Sequence, residues 1–266
     1  MKTIGIIGVG NMGESIIKAL LKKGVKKESI IFSEIKKERA RAVKRSFGIK
    51  ESGKLSGLVS GADYIILAVK PQDSKTVLAE IAPLIDPSKV IITIMAGVTT
   101  SNILSAIGKP VKIVKVMPNI CVKVGEGVIG IAHNKAVKKE ELKKVKDLFE
   151  PLGKVVEIGE ELMDAMTALG ASGPAFFLLF LEAMIDAGLK VGIPREKARV
   201  IAAQVVKGTL KMLEEEGIHP AVMRDMITSP GGTTISGIAV LEEKAFKGIV
   251  IEAIEKASKR AKELSL

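Results

Sequence analysis

Two stretches of this chain have residue types and spacing suited to chemistry. The first is Gly8-Val9-Gly10-Asn11-Met12-Gly13. Gly8 allows a tight turn, Gly10 lets a pyrophosphate approach the backbone, and Gly13 allows a helix to lie close to a strand. The second is Thr228-Ser229-Pro230-Gly231-Gly232-Thr233-Thr234-Ile235-Ser236. Its hydroxyls and bare N–H groups converge where a helix should begin, which suits a carboxylate. A capped turn with no ligand is the competing reading of the second stretch.

Each glycine turn needs an element to hold it. Thr3 to Ile7 is a short apolar run rich in β-branched residues, and Glu14 to Leu21 repeats its apolar positions every three or four residues before Gly24. The order is buried strand, glycine turn, helix, which is the context that gives a G-x-G-x-x-G pattern its meaning. Further apolar runs follow at Ser29 to Glu34, Asp63 to Val69, Lys89 to Ile94, Val111 to Val116, Val128 to Ala132 and Lys154 to Ile158, with helical patterns between them. Alternation of this kind predicts an α/β fold with a doubly wound, mostly parallel sheet of Rossmann-like type.

From Glu160 the pattern changes. Leu162 to Leu189, Arg195 to Glu216, Pro220 to Thr228, Thr233 to Glu243 and Ala245 to Glu263 all read as helices. The sequence therefore divides into a dinucleotide-binding half over 1–160 and an all-helical half over 161–266. The stretch Ala175 to Ala187 is apolar on most sides and needs cover all round, which predicts dimerisation through a C-terminal helical domain.

Ligands of such sheets bind beyond the carboxyl ends of the strands. The expected cofactor contacts are Ile7, Gly8, Gly10, Asn11, Met12 and Gly13 on the first turn. Others come from Ala68, Val69, Lys70 and Pro71 after the Asp63 strand, and from Met95, Ala96 and Gly97 after the Lys89 strand. Ser33, Glu34 and Lys36 end the second strand. An acid there suits the ribose hydroxyls of NAD, whereas Lys36, Lys37 and Arg39 suit the 2′-phosphate of NADP, so both cofactors stay open.

Composition narrows the alternatives. The 266 residues carry a net charge of +11, yet aromatic content is 3% with no Trp. The lysines interleave with Glu along helix faces, which argues against nucleic acid and fits attraction of anionic small molecules. One Cys excludes an internal disulfide, and with two His it leaves no Cys/His metal cluster. The N-terminal apolar run is too short for a signal peptide. Ala175 to Leu181, bounded by Pro174 and Glu182, reads as too short for a membrane span, so a cytoplasmic protein is expected.

Four motifs stand in order: Gly8-x-Gly10-x-x-Gly13, Ala68-Val69-Lys70-Pro71-Gln72, Met117-Pro118-Asn119 and Ser229-Pro230-Gly231-Gly232-Thr233-Thr234. With Ser172-Gly173-Pro174-Ala175 and the downstream Gly237 and Leu241-Glu242, the whole chain resembles the Δ1-pyrroline-5-carboxylate reductases. The resemblance implies reduction of the cyclic imine 1-pyrroline-5-carboxylate to L-proline by NADH or NADPH, the last step of proline biosynthesis. It implies a homodimer, often assembled into a decamer of five dimers. By the same resemblance Thr234 is the catalytic group, hydrogen-bonding the ring nitrogen. Ser229 and the backbone of Gly232 and Thr233 would hold the carboxylate. The chain departs from the family at two places. Leu55 stands where the family often has an Asn that binds the cofactor ribose, and Glu34 stands where NADP-preferring members often have a small hydroxyl residue. Both departures count against a strong NADPH preference. The rival reading, a hydroxyacid dehydrogenase, needs a catalytic Lys beside an Asn in the second half, a setting that Lys190 and Lys207 lack.

Overall fold

The computed structural model describes residues 3–264. Met1 and Lys2, which open the first expected domain, and Ser265 and Leu266, which close the second, lie outside the described residues. The chain up to Glu157 alternates as follows: β1 Ile4–Ile7, α1 Asn11–Lys22, β2 Ile30–Ser33, α2 Lys37–Phe47, β3 Lys50–Glu51, α3 Leu55–Gly61, β4 Tyr64–Leu67, α4 Ser74–Ile81, β5 Val90–Thr93, α5 Thr100–Ile107, β6 Lys112–Pro118, β7 Gly127–His133, α6 Lys139–Phe149 and β8 Gly153–Glu157.

The strands form one sheet in the order β3-β2-β1-β4-β5-β6-β7-β8. All neighbouring pairs are parallel except β6 with β7. Every residue of β1, β4 and β5 is buried, because helices cover both faces of the sheet. Successive side chains feed opposite cores. Ile6 and Ile66 pack with Ile16 and Leu20 of α1, while Ile7, Ile65 and Leu67 pack with Leu78 of α4 and Ile103 of α5. The chain leaves β1 toward β2 and β3, then returns to the other side of β1 as β4. The topological switch thus lies between β1 and β4, directly beyond which the glycine turn sits.

Beyond β8 the described residues are helical: α7 Met163–Met166, α8 Gly173–Lys190, α9 Arg195–Glu216, α10 Pro220–Met226, α11 Thr233–Glu243 and α12 Phe246–Leu264. By contacts the chain separates into one compact unit that runs to Ser172 and takes in the chain again from Lys256, and a second from Gly173 to Glu255. Within the second unit α8 and α9 pack closely. A Cβ on Gly188 would lie 2.8 Å from the Ala198 Cβ, and Arg195 pairs with Asp186 at 3.2 Å. No residue of α8 is buried within the chain; Leu179 is 68% exposed.

Two expectations are corrected here. The predicted single helix from Leu162 to Leu189 is divided, with Glu160–Leu162 as a 3-10 turn, Met163–Met166 as α-helix, Thr167–Ala171 as a π turn and then α8. The expectation of an apolar run too short for a membrane span is also corrected. Pro174 occupies the first turn of α8, where a missing N–H leaves no bond unmade and the helix runs on. The helical stretch Glu160–Lys190 is consequently long and apolar enough to cross a membrane by length and composition. The same stretch suits burial against a second subunit.

Candidate active site

The glycine turn is fixed from both neighbouring strands. The Gly8 N–H donates to the Ser33 carbonyl at 2.9 Å, and the Ala68 N–H donates to the Ile7 carbonyl at 2.8 Å. Gly8 has φ +88°, and a Cβ there would sit 2.9 Å from both the Ala68 carbonyl oxygen and Val69 Cγ1. A Cβ on Gly13 would come within 2.5 Å of the Gly8 carbonyl oxygen, so α1 packs on the turn itself. Gly10 differs from both. A Cβ there meets nothing within 4 Å, so the space above the turn is open. Gly10 caps α1 with no side-chain hydrogen bond, leaving the first N–H groups, those of Asn11, Met12 and Gly13, without helical acceptors. An open space above an unpaired helix start fits a dinucleotide pyrophosphate.

The segment after β2 closes on this turn. One carboxylate oxygen of Glu34 accepts the Val9 N–H at 2.9 Å, and the other accepts the Lys36 N–H at 3.0 Å. Arg39, on the first turns of α2, donates through Nε to the Val9 carbonyl oxygen and through its second nitrogen to Asn11 Oδ1 and Glu14, each at 3.3 Å. Lys36 is the N-cap of α2 and is exposed. The structure therefore brings Ile7, Gly8, Gly10, Asn11, Met12, Gly13, Ser33, Glu34 and Lys36 to one end of the sheet. Ala68, Val69 and Lys70 leave β4 at the same end and Pro71 opens the next turn, while Met95, Ala96 and Gly97 leave β5 there. Met95 is pinned by its N–H to the Thr93 hydroxyl at 3.2 Å, and Gly97 has φ +74°.

The second motif forms a compact turn ahead of α11. The Gly232 N–H donates to the Ser229 carbonyl at 3.1 Å, and Gly231 has φ +67°, a left-handed conformation that favours glycine. A Cβ on Gly232 would lie 2.4 Å from Ser229 Oγ, so glycine is what lets that hydroxyl fold against the helix start. Gly232 caps α11 without a side-chain bond, and Thr233 and Thr234 are its first two residues. Their N–H groups, the Ser229 hydroxyl and the Thr234 hydroxyl share one helix terminus, a donor set for a carboxylate with an adjacent polar group.

Asn119 of the third motif has a structural task, while Lys115 and Glu160 escaped the motif reading. Asn119, buried after β6, accepts from the N–H groups of Cys121 and Val128 and donates to the Gly170 carbonyl at 3.0 Å. Lys115 is 3% exposed on β6, and burial holds its ammonium below the ordinary lysine value while Glu160 and Asp164 act in the opposite direction. Glu160 accepts from the backbone N–H and hydroxyl of Thr100 at the start of α5. A single Lys within the apolar run Ile113 to Met117 was the available signal for the buried charge. Of the two histidines, His219 caps α10, its Nδ1 accepting the Ala221 N–H at 3.2 Å, and His133 ends β7. Among the described residues no group of three His, Cys, Asp or Glu is placed to hold a metal ion. A cleft of about 430 Å³ lined by His133, Glu157 and Glu160 shares no residue with either motif.

Comparison with known proteins agrees with both halves. Residues 160–264 match the family profile described as pyrroline-5-carboxylate reductase dimerisation, and residues 3–97 match that of coenzyme F420-dependent NADP oxidoreductases. The chain is 41% identical to the pyrroline-5-carboxylate reductase of Aquifex aeolicus over 261 residues, covering 98% of this chain and 97% of that one. It is 37% identical to the Escherichia coli pyrroline-5-carboxylate reductase over 265 residues, covering 99% and 98%. The solved structure of a pyrroline-5-carboxylate reductase from Coxiella burnetii superposes with a TM-score of 0.95 at 31% identity, covering 100% of this chain and 99% of that one. The Plasmodium falciparum pyrroline carboxylate reductase, solved with NADP bound, gives 0.88 at 33% identity, with 100% and 98% covered.

Proposed function

The chain belongs to the pyrroline-5-carboxylate reductase family, and from that premise we propose how its residues divide the work. The protein reduces the cyclic imine 1-pyrroline-5-carboxylate to L-proline with a reduced nicotinamide dinucleotide. The observation that carries the residue assignment is the start of α11, where the bare N–H groups of Thr233 and Thr234 meet a Ser229 hydroxyl folded against Gly232.

The Thr233 N–H, the Gly232 backbone and the Ser229 hydroxyl hold the substrate carboxylate, an anion at a helix N-terminus. The Thr234 hydroxyl donates toward the ring nitrogen and orients the imine. A protonated imine is the better electrophile, and a threonine hydroxyl is too weak an acid to supply that proton unaided, so solvent delivers it. The dinucleotide supplies the hydride when bound. The glycine turn holds its pyrophosphate, the Ser33 to Lys36 segment its adenosine ribose, and the segments after β4 and β5 the remainder. Positioning accounts for most of the protein's contribution.

In this reading 1–160 binds the dinucleotide and 161–266 carries dimerisation and substrate binding; a dimerisation profile that begins at residue 160 supports the division. The apolar α8 surface is covered by a second subunit, five dimers assemble into a decamer, and the enzyme works in the cytoplasm at the last step of proline biosynthesis. The test of the function is oxidation of NADH or NADPH followed at 1-pyrroline-5-carboxylate concentrations spanning the millimolar range. The expected result is one L-proline formed per dinucleotide oxidised. Oxidation without proline, or none at all by folded protein, contradicts it.

A further inference from the structure

We infer that Glu34 makes this enzyme select NADH over NADPH, with Arg39 withdrawn from any 2′-phosphate. The inference rests on the dinucleotide reading of the glycine turn and is independent of the imine substrate. The cofactor choice left open by the residue types alone is decided by where the two side chains go. An acid that follows the second strand stands where the adenosine ribose hydroxyls are bound. Glu34 is held there at both oxygens, by the Val9 N–H at 2.9 Å and the Lys36 N–H at 3.0 Å. In these two bonds the carboxylate acts as acceptor at both oxygens, with remaining lone pairs for a ribose diol. A 2′-phosphate brings a dianion to the same place and must either displace the carboxylate from the two N–H groups or lie against it.

The cation best suited to relieve that repulsion is already engaged. The guanidinium of Arg39 is spread over the Val9 carbonyl oxygen, Asn11 Oδ1 and the Glu14 carboxylate, across the glycine turn. Turning it toward a phosphate breaks all three contacts. Lys36 and Lys37 remain near, but both are exposed, and a solvated lysine offsets little of a fixed like-charge contact. Ile35 adds an independent pointer to a ligand at this end of the turn. It is 94% exposed beside Glu34, an apolar surface of the kind an adenine ring covers.

The test is binding of NADH and of NADPH by isothermal titration calorimetry, with no imine present, on the wild-type protein and on Glu34→Gln and Glu34→Ser. Wild type is expected to bind NADH at least about tenfold more tightly than NADPH, a difference of about 1.4 kcal/mol. Both substitutions should weaken NADH and strengthen NADPH, moving the ratio by about tenfold or more. Glu34→Gln retains an acceptor for one of the two N–H groups and guards against a variant that fails to fold. Equal or tighter wild-type binding of NADPH, or a ratio that neither substitution moves, overturns the inference. Failure of both dinucleotides to bind at all overturns the dinucleotide reading itself, and loss of imine turnover alone leaves both standing.

Discussion

The side-chain amide of Asn119 donates to the carbonyl of Gly170 at 3.0 Å and so ties the end of β6 to the π turn Thr167–Ala171. The same side chain accepts from the N–H groups of Cys121 at 3.2 Å and Val128 at 3.3 Å. One buried amide therefore satisfies three backbone groups from three separate segments. Gly170 is held close on its other side, where a Cβ would meet Met166 Cε at 2.6 Å. A π turn often marks a functional constraint, and this one stands immediately ahead of Ser172-Gly173-Pro174.

Asn119→Ala leaves those three backbone groups, one buried and two partly buried, without their side-chain partner. The expected loss is about 2–4 kcal/mol of unfolding free energy, since each buried polar group left unpaired costs about 1–3 kcal/mol and they relax in part. Asn119→Asp keeps both acceptor contacts and turns a carboxylate oxygen toward the Gly170 carbonyl, so it should recover only part of the loss. Urea unfolding of the three proteins checks the order; equal stability of Asn119→Ala and wild type contradicts it.

Gly10 and Gly13 separate binding from folding. Gly10→Ala adds a Cβ that meets nothing within 4 Å, so unfolding free energy should change by less than about 1 kcal/mol. The same methyl stands in the approach of the pyrophosphate, and dinucleotide affinity should fall by about tenfold or more. Gly13→Ala forces a Cβ to 2.5 Å from the Gly8 carbonyl oxygen and should destabilise by about 1–3 kcal/mol. Calorimetric titration and thermal unfolding of both variants give the comparison. If Gly10→Ala binds normally, the pyrophosphate does not lie on this turn.

Lys115 gives a pH dependence with a defined sign. Its folded-state pKa is lowered by burial from the ordinary 10.5, with Glu160 and then Asp164 opposing that shift. Between the lowered value and 10.5 the unfolded chain binds more protons than the folded one, so stability rises with pH through that window. The wild-type stability measured relative to Lys115→Met should therefore grow between about pH 8 and about pH 10. Denaturant unfolding at the two pH values tests it, and a difference that does not change with pH would sink the idea.

Thr234→Ala removes one donor at the start of α11 and leaves a good helix former in place. The turnover rate with 1-pyrroline-5-carboxylate should drop by about ten- to a hundredfold, the scale of one transition-state hydrogen bond. Thr234→Ser keeps the hydroxyl and should restore most of the rate. Steady-state kinetics on both variants decide it; an unchanged rate in Thr234→Ala removes this hydroxyl from the reaction.

Much of this was legible in the residues alone, for physical reasons. The runs Thr3 to Ile7 and Asp63 to Val69 are strands because they are continuous, β-branched and bounded by Gly or Pro, and they form β1 and β4 within a residue or two. Gly48 ends α2 at φ +64°, as a glycine past the last apolar position should. The π turn was not legible, because Thr167 to Ala171 carries the same apolar spacing as the α-helices around it. The double anchoring of Glu34 and the three-way engagement of Arg39 were not legible either. All of these contacts but the one from Lys36 join residues 25 to 30 positions apart, and periodicity carries no such information. Hydroxyls and glycines at Ser229 to Thr234 pointed to a helix start; that Gly232 makes room for the Ser229 Oγ needed coordinates.

The most direct measurement follows the hydride itself. Reduced dinucleotide carrying deuterium at both C4 positions of the nicotinamide is given to the enzyme with unlabelled 1-pyrroline-5-carboxylate in ordinary water, and the product is analysed by mass spectrometry and NMR. Hydride transfer to the imine carbon places one deuterium on C5 of L-proline, with the nitrogen proton drawn from solvent. Proline without deuterium, or deuterium at any other carbon, would contradict the account.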